Sequence, residues 1–215
     1  MSRAYDRPMT WNVDPNEHDV FLLRQKWTLV INRYYFSLPD AAGKEGQVFA
    51  FVEQKRFKFK EDIRFFTDET KSVEVMRIKA RRRFDPAATY DVTGPDGEVI
   101  GRIQKAFGKS LLRSTYLLHD PSGARTVEAR ERSLPVALFR RLVGFLPYVG
   151  NYADWLPIPY HFDFRYGDRV IGHHTRQKWK LTDHYTIDMT PDTDHLLDRR
   201  LVLAAAVGMD ALQAR

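Results

Sequence analysis

Short runs of alternating apolar and polar positions occupy most of the chain, and Val, Ile, Tyr and Phe dominate them. Clusters of Gly, Asp and Pro separate the runs, a pattern typical of antiparallel β-strands joined by turns. The runs form six two-strand units: Val20–Trp27 with Ile31–Leu38, Gln47–Phe57 with Ile63–Asp68, Val73–Arg83 with Ala88–Thr93, Val99–Lys105 with Leu112–His119, Arg125–Arg130 with Tyr160–Arg165, and Val170–Lys178 with Asp183–Met189. About twelve strands exceed what a flat open sheet accommodates, so we expect the sheet to close on itself or to fold into a sandwich.

Repeated peptides indicate that one two-strand unit recurs along the chain. Arg-Gln-Lys-Trp occurs at residues 24–27 and again at 176–179, and Val-Ile-Gly occurs at 99–101 and again at 170–172. Second strands carry Tyr at equivalent places, namely Tyr90, Tyr116 and Tyr185. Recurrence at fixed positions predicts a fold assembled from copies of one supersecondary element.

The pattern changes near the C-terminus, where residues 194–213 predict a helix capped by Thr193 or Asp194. The stretch Leu201–Met209 contains no polar side chain, and it is shorter than the roughly 20 apolar residues that cross a bilayer. A helix that is apolar on every side is buried in protein. We therefore predict a core helix that the strands enclose.

The strands and the core helix define a single domain over residues 18–215, preceded by a loosely ordered tail over residues 1–17. Residues 133–159 form an insertion, in which Ser133–Phe145 predicts a short amphipathic helix and the remaining residues predict a loop. We favour a helix that packs on the outside of the scaffold, and the alternative is a helix that dips into a membrane.

The chain of 215 residues carries a net charge of +6 and has a pI near 9.5. This excess favours anionic partners such as phosphate, a lipid headgroup or nucleic acid, and it is equally consistent with a charge that only maintains solubility. Because the chain has no cysteine, disulfides, thiolate metal sites, cysteine nucleophiles and palmitoyl anchors are excluded. The polar N-terminus lacks the apolar core of a secretory signal, so we expect a cytoplasmic protein, peripheral to a membrane if it binds lipid.

Together these features resemble the tubby C-terminal-like superfamily and, within it, the LURP-one-related and phospholipid-scramblase-like branch. The residues that carry the resemblance are Phe21–Trp27, the second strands with Tyr, the Val-Ile-Gly arms, and the closing Asp198–Asp210. The resemblance implies a closed barrel of about twelve antiparallel strands with the C-terminal helix through its centre. It also implies a binding or tethering module, since members include phosphoinositide binders and membrane-associated scramblase-like proteins.

Several features of scramblases are missing from the sequence. It contains no Cys-rich palmitoylation segment, no Pro-rich N-terminal extension and no acidic loop with EF-hand spacing. The resemblance therefore gives little support to lipid scrambling.

The candidate binding site consists of two rows of cations at every second position of two predicted strands. Its members are Arg77, Lys79, Arg81 and Arg83 in one row, and Arg56, Lys58 and Lys60 in the other. Because alternate side chains of a strand share a face, each row lines up on the outside of the sheet. Neighbouring rows would hold phosphates through charge-assisted hydrogen bonds. The alternative is a solvated exterior that nearby carboxylates partly neutralise.

Patterns for catalysis or metal binding are weak in this sequence. His173 and His174 are adjacent in a strand, so they point to opposite faces and cannot share one metal ion. The serines lack a nucleophile elbow, and neither a phosphate-binding Gly-rich loop nor a dinucleotide fingerprint is present. We therefore predict no catalytic residue, no metal and no cofactor. The least favoured hypothesis is an enzyme with a pocket at one barrel end around His161, His173 and Asp163.

The leading hypothesis is a non-enzymatic module that recognises an anionic lipid headgroup, or another phosphorylated ligand, through its basic strand face. A nucleic-acid-binding barrel shares the charge argument, but the sequence shows neither a recognition helix nor an exposed aromatic platform. A purely structural or protein-partner-binding barrel is the third hypothesis, and it predicts oligomers without a small ligand.

Overall fold

A computed structural model describes residues 11–27, 31–55, 62–81, 89–106, 114–132, 161–177 and 183–213. Each of the twelve predicted strands is present within these ranges. They are β1 Val20–Trp27, β2 Ile31–Pro39, β3 Glu45–Lys55, β4 Asp62–Phe66, β5 Glu74–Ala80, β6 Thr89–Thr93, β7 Val99–Lys105, β8 Thr115–His119, β9 Thr126–Glu131, β10 His161–Tyr166, β11 Arg169–Arg176 and β12 Asp183–Asp188. A 3-10 turn at Pro15–Glu17 precedes the strands, and a helix, α1, follows them at Arg199–Gln213.

The strands form one closed antiparallel barrel. Each strand pairs with its neighbours in the chain, and β1 closes the ring by pairing with β12. In β4, Ile63 and Phe65 are buried while Asp62 and Arg64 are exposed, because alternate side chains point to opposite faces of a strand. The inner faces of the strands share one core. The structure therefore confirms the predicted closed barrel and excludes the alternative, a β-sandwich.

The helix α1 fills the centre of this barrel, as the sequence predicted. Residues 201–207 and Met209 are at most 2% exposed, Gly208 is buried, and α1 contacts β5, β7 and β8. Near the end of this apolar stretch, the hydroxyl of Tyr116 donates to the carbonyl of Met209 at 3.5 Å. The 15 residues of α1 span about 22 Å at ~1.5 Å per residue. The helix thus occupies the lumen in which other barrels hold their ligands.

The helix begins at Arg199, later than the predicted start at residue 194, and neither predicted residue caps it. His195 has a φ of 46°, a left-handed conformation that cannot continue a right-handed helix. The cap is Asp198, whose carboxylate accepts the backbone N–H of Arg200 at 2.8 Å. The predicted first turn is therefore a non-helical turn.

A buried ion network lies at the end of the barrel where α1 begins. The guanidinium of Arg199 donates at 2.6 Å to the carboxylate of Asp192, and the side chains of both residues are completely buried. It also donates at 2.6 Å to the carboxylate of Asp19. A buried charge is tolerated only with partners of this kind. The network therefore fixes the start of the helix against the chain that enters β1.

Residues 11–17, which belong to the segment predicted as a tail, contact both the helix and the strands. The side-chain oxygen of Asn16 accepts the backbone N–H of Arg199, the first helical residue, at 2.9 Å. Trp11 packs on Phe49 of β3, with ring centroids 6.1 Å apart. These contacts satisfy a donor at the helix start and cover one edge of the core. Residues 1–10 lie outside the described ranges.

The two ends of the barrel differ in what they contain, and we name them accordingly. The capped end is the end at which α1 begins. It comprises the segments 11–19, 40–44, 67–73, 94–98, 120–125, 167–168 and 189–198. The far end is the opposite one, at which β1, β3, β5, β7, β9 and β11 finish. The predicted insertion at 133–159, with its amphipathic helix, lies outside the described residues.

The repeated Val-Ile-Gly peptides provide close packing at equivalent places in β7 and β11. A Cβ added to Gly101 would lie 2.6 Å from the carbonyl oxygen of His119 and 2.7 Å from the side chain of Leu201 in α1. A Cβ added to Gly172 would collide with the sulfur of Met189. Both glycines therefore let the wall of the barrel approach its contents.

Candidate functional site

β5 carries the described part of the predicted basic face. Buried Met76 and Ile78 alternate with Arg77 and Lys79 on the outer side, because the apolar positions turn their side of the strand to the core. Arg81 follows the strand and is exposed. The remaining predicted members lie outside the described residues, namely Arg83, Arg56, Lys58 and Lys60.

Carboxylates pair with two of the described cations of this row. Nε and Nη2 of Arg77 donate to the two carboxylate oxygens of Glu74 at 2.9 and 3.1 Å. Nε of Arg81 lies 3.0 and 2.9 Å from the two oxygens of Asp91. Lys79 is exposed and has no ion pair with any described residue. It is therefore the member of the row that an external anion reaches without displacing a partner.

The outer face of β4–β7 carries only a modest positive excess. Its described charges are five cations and three carboxylates, a net charge of +2: Arg64, Arg77, Lys79, Arg81 and Arg102 against Asp62, Glu74 and Asp91. Exposed ion pairs contribute about 0–1 kcal/mol each, so a phosphate can replace a carboxylate partner without a large penalty. The fold thus places three of the seven predicted site residues together, and their binding of an anion stays a prediction.

Two of the three residues in the barrel-end enzyme hypothesis are in contact, on the outer side of β10 and β11. Nδ1 of His173 lies 2.8 Å from Oδ1 of Asp163, and Nη2 of Arg132 donates to the same oxygen at 2.7 Å. Burial acts to raise the pKa of Asp163, but the hydrogen bonds from Arg132 and His173 outweigh it and lower that pKa below its usual value. The carboxylate is therefore held ionised as the centre of a surface ion-pair cluster.

His174, on the inner side of β11, is a buried titratable group that is 5% exposed. Its ring stacks between Phe162 and Tyr185, with centroid separations of 6.4 and 5.0 Å. Neither ring nitrogen has a hydrogen-bond partner. Burial, with a smaller contribution from His161, lowers the pKa of His174 to about 4. The imidazole is therefore neutral at physiological pH and packs as an aromatic core residue.

An aromatic cluster on the outer face of β2 and β3 was missed by the sequence analysis. Tyr35 and Phe51 are 3% and 1% exposed although they lie on the face opposite the core, with ring centroids 5.3 Å apart. The guanidinium of Arg24 lies 4.3 Å from the centroid of the Tyr35 ring, and the ammonium of Lys26 lies 5.3 Å from it. Burial raises the pKa of Tyr35, and a hydrogen bond to Glu69 raises it further. The cluster stabilises this wall and holds two cations in place.

Metal-binding geometry is absent from the part of the chain that the structure describes, where no three His, Asp or Glu side chains converge on one point. Asp163 and His173 come together, but Arg132 donates to the carboxylate and lies 2.9 Å from the imidazole nitrogen. A guanidinium there repels a cation. Among the same described segments, no helix has the length and hydrophobicity needed to cross a bilayer.

Comparison with known proteins gives one match. A family model described as LURP-one-related matches residues 48–210 of the chain. No curated protein and no solved structure matches. The matched residues run from β3 into α1 and cover more than half of the chain, including both the basic face of β5 and the buried helix.

Proposed function

We propose, from the premise that the chain belongs to the LURP-one-related family of the tubby C-terminal-like superfamily, that it is a non-enzymatic binding module for anionic lipid headgroups, such as those of phosphoinositides. The observation that carries this proposal is the filled barrel: residues 201–207 and Met209 of α1 are at most 2% exposed. A ligand cannot share a lumen that a helix already fills at close-packed density. Recognition therefore falls to the outer surface.

The charge of the outer surface supports an anionic ligand. On β5, exposed Lys79 stands without an ion pair among the described residues, between Arg77 and Arg81 of the same row. The guanidinium groups of those neighbours already bind carboxylates in the manner in which they would bind phosphate. The proposed site is this row, with Lys79 making the first contact.

Sedimentation with vesicles tests the proposal. The protein is mixed with phosphatidylcholine vesicles, with and without phosphatidylserine or a phosphoinositide, at low and high salt. We expect binding only to the anionic vesicles, weaker at high salt because counterions screen the attraction. Lys79→Glu should lower the affinity on the order of ten-fold, because each cation near an anionic surface contributes about 1 kcal/mol and reversal adds a repulsion.

The matched control is Lys44→Glu, which makes the same charge change at an exposed position of the capped end. It should leave binding unchanged. Equal binding to neutral and anionic vesicles, or no binding to either, would overturn the proposal. In that case a mobility shift with nucleic acid over a salt series, and the oligomeric state in solution, decide between the nucleic-acid-binding and partner-binding alternatives.

A further inference from the structure

We infer that the barrel docks end-on, with the rim of the far end against an anionic bilayer and the capped end directed away from it. This inference rests on the proposed function and adds the contact surface and the orientation. Two independent observations carry it: a separation of charge along the barrel axis, and the spacing of three exposed cations around the far rim.

Charge is divided between the two ends of the barrel. The segments of the capped end hold thirteen carboxylates against three Lys or Arg residues, a net charge of −10. The other described residues hold seventeen Lys or Arg residues against eleven carboxylates, a net charge of +6. The length of α1 separates the ends by about 22 Å, which exceeds two Debye lengths at physiological salt, where one is about 8 Å. A negative surface therefore attracts the far end without much repulsion from the capped end.

Three exposed cations near the far rim have no ion pair with any described residue. Lys26 lies near the end of β1, Lys79 near the end of β5 and Arg130 near the end of β9. These strands are four places apart in a closed ring of twelve, so the three cations are about 120° apart around the rim. Exposed positive charge is therefore not confined to the β5 row, and it surrounds the far end.

Several arginines on the barrel walls are already matched by carboxylates. The pairs are Arg24 with Glu45 at 2.8 Å, Arg33 with Glu53 at 3.1 Å, Arg77 with Glu74 at 2.8 Å and Arg81 with Asp91 at 2.9 Å. Such pairs reduce the field that an anion meets when it approaches from the side, although a phosphate can still displace a carboxylate there. A compact ligand would meet only one of these three rim cations, whereas a flat surface meets all three. The spacing therefore favours a bilayer seated across the rim.

Three single substitutions test the orientation. Lys26→Gln, Lys79→Gln and Arg130→Gln are compared in binding to vesicles of phosphatidylcholine and phosphatidylserine, with Lys44→Gln at the capped end as the control. End-on docking predicts that each rim variant weakens binding by a similar factor, about five-fold, and that the control does not. Thermal melting of each variant confirms that it remains folded.

The outcomes separate this inference from the proposed function. Loss of binding in Lys79→Gln alone would mean side-on docking, which overturns the orientation and leaves the proposed function standing. Vesicle binding that none of the three changes would also overturn the end-on contact. Failure of the unmodified protein to bind anionic vesicles would overturn both. Tighter binding to single-stranded RNA than to vesicles at the same salt would replace the bilayer as partner.

A second measurement determines directly which end of the barrel faces the bilayer. Because the chain has no cysteine, one introduced cysteine carries one fluorophore. The label is placed at Ala106→Cys, which follows β7 at the far end, or at Ala41→Cys, in the exposed turn 40–44 of the capped end. Vesicles that carry a quencher on their headgroups should quench the first label and not the second. Equal quenching at both positions would contradict the end-on orientation.

Discussion

At the capped end an arginine is completely buried between carboxylates, whereas towards the far end a buried histidine has no hydrogen-bond partner among the described residues. The charge of Arg199 is compensated, because the carboxylates of Asp192 and Asp19 accept hydrogen bonds from it at 2.6 Å. His174 is neutral, because burial lowers its pKa to about 4. The capped end thus fixes the helix through ionic contacts, whereas the far end relies on aromatic packing and keeps its cations at the surface.

The largest effect is expected from Arg199→Met. The substitution leaves the carboxylate of Asp192 buried without its ionic partner, so the free energy of unfolding should fall by about 3–5 kcal/mol. Urea denaturation followed by circular dichroism measures the loss. The control is Arg200→Met: Arg200 pairs with Asp198 at 2.7 Å and its side chain is 21% exposed, so we expect a loss of about 1 kcal/mol or less. Equal losses of stability in the two variants would show that the buried ion pair of Arg199 contributes no more than the partly exposed pair of Arg200.

The next prediction concerns the free energy of unfolding at acidic pH. The pKa of His174 is about 4 in the folded chain against 6.5 ordinarily, so between these pH values the unfolded chain binds a proton that the folded chain does not. Stability is therefore full above pH 6.5 and falls as the pH drops to 4, by about 3 kcal/mol in total. His174→Phe should abolish this decrease and, by removing unpartnered nitrogens, raise stability at neutral pH.

The control for acid sensitivity is His119→Gln. The ring nitrogens of His119 lie 2.9 and 3.3 Å from polar side-chain oxygens of Thr126 and Gln104. Burial, followed by the charge of Arg102, lowers its pKa too, but the group is only partly buried, so its share of the acid sensitivity should be smaller. Urea titrations at a series of pH values would refute the account of His174 if His174→Phe kept the slope of the unmodified protein.

A pair of glycine substitutions compares the wall of the barrel with its contents. Gly101→Ala should lower the free energy of unfolding by about 1–3 kcal/mol, because the new methyl group meets a backbone oxygen at 2.6 Å. Gly208→Ala should raise it by about 0.5–1 kcal/mol, because its methyl group would lie 3.5 Å from Ile103 and alanine favours a helix. Thermal denaturation that shows the same sign for both variants would argue against a helix packed tightly on β7.

The smallest effect is expected from Asn16→Ala. Asn16 accepts the first backbone N–H of α1 at 2.9 Å, so its truncation should lower the free energy of unfolding by about 1 kcal/mol. Asn12→Ala serves as a control, since Asn12 is exposed in the same segment. If urea denaturation shows no difference between the two variants, the hydrogen bond from Arg199 to Asn16 does not contribute to the stability of the capped end.

The strands and the buried helix could be predicted from the sequence because their signals are local. Period-two alternation fixes which side of a strand meets the core, as in Ile63 and Phe65 of β4. The nine apolar residues Leu201–Met209 exclude both a solvated helix and a membrane span. Close packing in β7 and β11 also explains why glycine recurs in the repeated Val-Ile-Gly peptide.

The remaining features depend on contacts between distant residues, which local patterns do not reveal. Arg199 bonds to Asp19, 180 residues away in sequence, so nothing near Arg199 predicted its burial. The outer burial of Tyr35 follows in part from the turn at 67–73, which brings Glu69 to its hydroxyl. The apolar run Phe49–Val52, typical of a strand covered on both faces, was the one local sign of that cluster.

Hydrogen exchange of the amides of Leu203–Val207, measured beside those of β7, tests most directly the claim that α1 permanently fills the barrel and leaves recognition to the surface. We predict that these helix amides exchange only through global unfolding, with the same free energy as urea denaturation gives. Exchange of the helix at a clearly lower free energy, while β7 stays protected, would show that α1 leaves the lumen and would contradict the account.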